Sequence, residues 1–196
     1  MEEKKLSEEE SLALVTAMIS QAKNYYYESG FGSLLWGFTN FICFILYYLQ
    51  AVWKGFRLPF DPIYLMAIIL VVHVYYARSE RKYRKAKTFS DEANNYVWLA
   101  FGVCMLILTL GGAIAGMGYY VLPVILLFFG MPTFVTGCIN KFKPFIWGGI
   151  GCWILSVISF VFKSNFTLLM VAAGAAIAWI IPGFILRIKY LKAKNV

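Results

Sequence analysis

The chain has 196 residues, of which 61% are hydrophobic and 14% charged, with a formal net charge of +8. An ordinary soluble domain carries about 25% charged residues, and a soluble fold of this size would expose apolar patches large enough to aggregate. The composition excludes a water-soluble enzyme and points to a chain solvated by lipid. The 18% aromatic content fits Trp and Tyr at the two bilayer interfaces.

Residues 1–30 are polar and begin acidic, with no apolar core of a cleavable signal peptide. Ser7 followed by Glu8, Glu9 and Glu10 reads as a capped helix start. Leu12, Val15, Ile19, Ala22 and Tyr26 then recur at spacings of three and four, which predicts an amphipathic helix. A helix built to lie on anionic lipid is rich in Lys and Arg on its polar face. This one has only Lys23, so it is expected to dock on the basic face of its own bundle or on a protein partner.

Six apolar runs follow, at 31–53, 60–77, 95–116, 119–138, 144–162 and 166–187. A transmembrane helix needs about 20 mostly apolar residues, and hydrocarbon leaves no backbone group unpaired except in a helix or a closed barrel. The expected fold is all-α: a polytopic bundle of six transmembrane helices at 31–187, preceded by the cytoplasmic helix of 1–30 and followed by a basic tail at 188–196.

Lys and Arg set the orientation. With six spans, 15 of the 18 basic residues fall on the side of the two termini and three on the other. That asymmetry places both termini in the cytoplasm and the protein in the cytoplasmic (inner) membrane. The densest run, Arg78 to Lys87, is first a topology determinant. Its Arg81, Lys82, Arg84 and Lys85 are candidate contacts for lipid headgroups. No nucleic-acid partner is inferred from the positive charge.

The odd spans share a pattern. Trp36 precedes Cys43, Trp98 precedes Cys104, and Trp147 precedes Cys152. Spans four and six share Pro132 and Pro182, each followed by basic residues. Three helical hairpins in parallel orientation would explain this, as in some transporters. Gly112 and Gly116 form a GxxxG step, and Gly148, Gly151, Ala172 and Gly174 add small residues that let helices approach. These faces serve packing within the monomer ahead of a homo-oligomer seam. Pro132 and Pro182 are expected to kink their helices.

Chemistry is sparse. No acid or base sits at the centre of a span, His73 is the only histidine, and the four cysteines are unclustered. No catalytic group, metal site or cofactor is therefore assigned. Asp61 and Asp91 lie at membrane ends, where they are expected to start helices. Asn40, beside Thr39, is the one amide at mid-membrane. It is expected to bond a neighbouring helix, with a polar cavity contact as the second reading.

Ser11–Lys23, Leu35-Trp36-Gly37, Val97–Gly102, Lys141–Gly149 and Ile180–Gly183 together resemble a family of six-span membrane proteins of Bacteroidota. The resemblance covers nearly the whole chain and implies the architecture, without a reaction. The expected role is that of a non-catalytic accessory or regulatory membrane protein engaging a partner through its N-terminal helix. A passive small-solute facilitator built from the three hairpins is the alternative.

Overall fold

A computed structural model describes Leu12 and residues 30–83, 89–162 and 164–194. The described residues are helical, with no strand among them. In chain order the helices are α1 (Phe31–Val52), α2 (Ile63–Tyr83), α3 (Phe89–Ile114), α4 (Val121–Ile139), α5 (Lys143–Val161), α6 (Phe166–Ala175) and α7 (Ile181–Lys194). A 3₁₀ turn at Gly118–Tyr120 leads into α4, and a π turn at Ala176–Ile180 joins α6 to α7 in one continuous rod.

Five of these segments are long and apolar enough to cross a membrane: Phe31–Val52, Glu92–Ile114, Val121–Ile139, Lys143–Val161 and Phe166–Lys192. The described apolar part of α2, Ile63–Tyr75, is shorter. The chain is thus a multi-pass helical protein by length and composition, with apolar faces suited to lipid contact. The amphipathic helix expected at residues 1–30 lies outside the described residues, Leu12 and Gly30 excepted.

Packing follows the small residues. The most extensive helix pairing is α4 with α5. A Cβ added to Gly149 would lie 2.8 Å from the Gly130 carbonyl oxygen and 2.7 Å from Phe134 Cβ, and one added to Gly137 would lie 2.7 Å from the Ile146 nitrogen. Backbone meets backbone here because no side chain intervenes, which gains van der Waals contact where lipid removes the hydrophobic drive. The α6–π rod is central, with α1 on one side and α4 and α5 on the other. Phe44, Leu126, Phe129, Val171, Ala175 and Trp179 form the core between them. Helix α2 leans on α1 and α3 on α4, and both leave most of their apolar surface exposed.

Several expectations need correction. The Gly112/Gly116 step is divided: Gly112 packs on the start of α4, where an added Cβ would lie 2.9 Å from Val121 Cγ2, while Gly116 caps the helix. Gly116 has φ +62°, Met117 N–H donates to Gly112 O at 3.0 Å, and Gly116 N–H reaches Ala113 O at 3.4 Å. That is a Schellman ending, which needs a left-handed residue and so favours glycine. A Cβ on Gly116 would touch nothing within 4 Å. Helix α3 begins at Phe89, six residues before the apolar run, because its first turns are polar. Pro132 lies inside α4, and Pro182 is the second residue of α7, just past the π turn. Cys43 and Cys152 are buried, but Cys138 is exposed.

Candidate functional site

The buried polar side chains are the places where chemistry would sit. Thr39 and Asn40 lie on the buried face of α1. The Thr39 hydroxyl donates to Leu35 O at 2.7 Å, and the Asn40 amide donates to Trp36 O at 2.8 Å. Both bonds return to the preceding turn of the same helix. The sequence placed Asn40 against a neighbouring helix; its amide nitrogen is instead held within α1. Such back-bonding satisfies a polar group in an apolar setting without a partner helix.

The bonds between helices lie elsewhere. The Trp179 indole N–H, in the π turn, donates to Thr133 Oγ1 on α4 at 3.0 Å, and the Thr133 hydroxyl donates to Phe129 O at 2.8 Å. The rings of Phe129 and Trp179 are 4.5 Å apart. One turn further along α4, Thr136 Oγ1 accepts the Trp98 indole N–H from α3 at 3.1 Å. The two threonines therefore receive two tryptophans from two different elements. Ser33 on α1 donates to Trp179 O at 2.9 Å, Ser156 on α5 donates to Pro123 O at 2.7 Å, and Trp153 N–H donates to Leu127 O at 3.2 Å. The Cys152 thiol faces Gly174 O at 3.4 Å. A π turn displaces carbonyls from their α-helical partners, and Ser33 supplies a donor to one of them.

At one end of the bundle, Gly30 packs on Gly183 and Arg187, and the Asn94 amide donates to Asn140 Oδ1 at 3.1 Å. At the other end, Asp61 caps α2 by accepting the Ile63 N–H at 3.0 Å and also accepts the Tyr47 hydroxyl. These two donors hold the Asp61 carboxyl below the usual carboxylate range, the Tyr47 hydroxyl contributing most. The expectation that Asp61 begins a helix agrees with this. Nearby, Cys43 Sγ faces Pro62 O at 3.2 Å, tying α1 to the start of α2. His73, on α2, stands edge-on to Trp36 with centroids 5.8 Å apart and lies beside Gly32.

The candidate headgroup residues are not brought to a describable site. Arg81 and Lys82 continue the backbone of α2, and Arg84 and Lys85 lie outside the described residues. No group of three or more potential metal ligands occurs among the described residues. The sequence reading missed Thr133, Thr136 and Trp179 as a bonded set. Two hydroxyls three residues apart on α4, Thr133 and Thr136, were the available signal. Comparison with protein-family models, with curated proteins and with solved structures found no match, so no family is shown for the chain.

Proposed function

We propose that this chain is a non-catalytic accessory protein of the cytoplasmic membrane that engages a protein partner through its N-terminal helix. The observation that carries the reading is the use made of the polar side chains between helices, buried at Ser156 and Trp179 and half-buried at the others. Ser33, Ser156, Trp98, Trp153 and Trp179 donate to carbonyls or hydroxyls of adjoining elements. Their hydrogen bonds fix one helix on the next, as polar side chains do in a membrane bundle, and the chemistry of a scaffold follows from that.

In this proposal the chain crosses six times, with both termini on the cytoplasmic side. Gly30, Asn94, Asn140 and Arg187 share one end, as six alternating helices require. The described apolar part of α2, Ile63–Tyr75, is about 20 Å at 1.5 Å per residue, so a crossing here needs the flanking turns to complete a hydrocarbon core of about 30 Å. The excess of Lys and Arg on the terminal side supports the orientation. Reporter fusions at Val196 and in the turn after α3 test it, and an external C-terminus sinks the topology. Crosslinking and pull-down with and without residues 1–30 test the role, and the same partner set from both forms counts against it.

The facilitator reading has less support. It drew on Asn40, whose amide is bonded within α1. Asn40→Leu separates the two: passive uptake into vesicles falls if Asn40 contacts solute and is unchanged if Asn40 serves its own helix.

A further inference from the structure

At the end of the bundle that holds Gly30 and Asn140, one lysine lies over a buried aromatic ring and two more flank that ring's residue in the chain. Phe142 is the extended residue between α4 and α5. Its ring is buried against Leu186 of α7 and packs edge-on to Phe145 with centroids 5.2 Å apart. Lys141 and Lys143 flank it in the chain, and Lys189 on α7 brings Nζ to 5.1 Å from the ring centroid. All three lysines are exposed.

The support beneath them is rigid. Helix α4 ends in a second Schellman pair, with Phe142 N–H donating to Gly137 O at 2.8 Å and Lys141 N–H to Cys138 O at 3.2 Å. Lys141 takes the left-handed position, φ +49°, that glycine usually fills. Lys143 opens α5, whose first turn has no acidic residue, so the positive end of that helix adds to the field. Among the described residues, none of the three lysines has a carboxylate partner. Trp147, one turn into α5 from Lys143 and 69% exposed, marks the depth of the headgroup layer.

We propose that Lys189, over the Phe142 ring, together with Lys141 and Lys143 on either side of Phe142 in the chain, forms a site for the phosphate headgroup of an anionic phospholipid. Like charges on neighbouring residues repel each other, and an anion between them removes that repulsion. A lipid phosphate is the fitting anion because Trp147 sets the cluster at the interface, where headgroups are concentrated and juxtamembrane lysines attract them. The site does not depend on which side of the membrane it faces.

The test uses the full chain in phosphatidylcholine nanodiscs with a fraction of phosphatidylglycerol, and native mass spectrometry to count retained phosphatidylglycerol. K141Q/K143Q/K189Q should weaken retention by roughly tenfold or more. K141R/K143R/K189R should keep it, which guards against a folding defect in the first variant. K54Q/R57Q, at the other end, should bind as the parent does. Retention by the glutamine triple variant equal to the parent overturns the site, as does loss in the arginine triple variant or an equal loss in K54Q/R57Q. Sodium phosphate and sodium chloride at equal ionic strength should displace lipid equally. Selective displacement by phosphate would make this a free-anion site and overturn the lipid assignment.

Discussion

Gly149→Ala should destabilise the bundle, and the α4–α5 seam says by how much. The new methyl would sit 2.8 Å from the Gly130 oxygen and 2.7 Å from Phe134 Cβ. Ordinary carbon contacts are about 3.5–4.0 Å, so the two helices must part locally by about 1 Å. Overpacking of this kind costs about 1–3 kcal/mol. The same displacement stretches the Trp153–Leu127 and Ser156–Pro123 bonds, now 3.2 and 2.7 Å, each worth about 0.6 kcal/mol in a membrane protein. Alanine's better helix propensity returns about 1 kcal/mol. The net expectation is a loss of about 1–3 kcal/mol. Gly111→Ala is the control, because nothing lies within 4 Å of its added methyl. It should gain up to about 1 kcal/mol from the same propensity term. Unfolding of each purified variant by sodium dodecyl sulfate in mild detergent reads both. Equal shifts of the same sign for the two variants would refute the reasoning.

Thr133→Val keeps the shape of the side chain but leaves the buried Trp179 N–H without its acceptor, a loss of about 1–3 kcal/mol. Thr39→Val, which removes only a bond to its own helix, should stay within about 0.5 kcal/mol in the same assay. Lys141→Gly should stabilise by up to about 1 kcal/mol, because lysine at φ +49° carries a left-handed penalty that glycine lacks; the thermal midpoint checks it. Asp61 has a depressed folded pKa, so its contribution is complete above the unfolded value of about 4 and is lost as pH falls through the folded value. Detergent unfolding should therefore grow easier below about pH 4 in the parent, while Asp61→Asn should show no such step; the effect is small, since Asp61 is exposed.

The apolar runs were legible because lipid demands long uninterrupted helices, and hydropathy records that demand directly. Polar helix ends were not, which is why Phe89–Glu92 escaped the reading of α3. Glycines were legible as small residues but not by use. Gly112 and Gly116 have the spacing of a packing motif, yet only Gly112 packs and Gly116 makes a cap, while Gly130 and Gly137, seven residues apart, face α5 closely and drew no notice. Asn40 stood out as an amide in an apolar run, yet whether it bonds its own helix or another depends on rotamer and neighbours. Thr133 and Trp179 are 46 residues apart, so their bond exists only in the packed bundle.

The π turn at Ala176–Ile180 sets the angular phase of everything beyond it. One residue of a regular α-helix advances about 100° around the axis, and a π turn holds one residue more than an α turn. Up to Ala175 the rod turns Gly174 toward Leu126 and Cys152. Beyond the turn, Gly183 meets Leu34 of α1, and Leu186 and Lys189 reach Phe142 at the start of α5. Wound as an unbroken α-helix of the same length, the rod would carry Gly183, Leu186 and Lys189 about 100° away from those partners, whereas deleting one residue from Ala176–Ala178 should leave them in place. The extra residue is a phase correction that lets a single rod mate with one set of neighbours in its first half and another in its second.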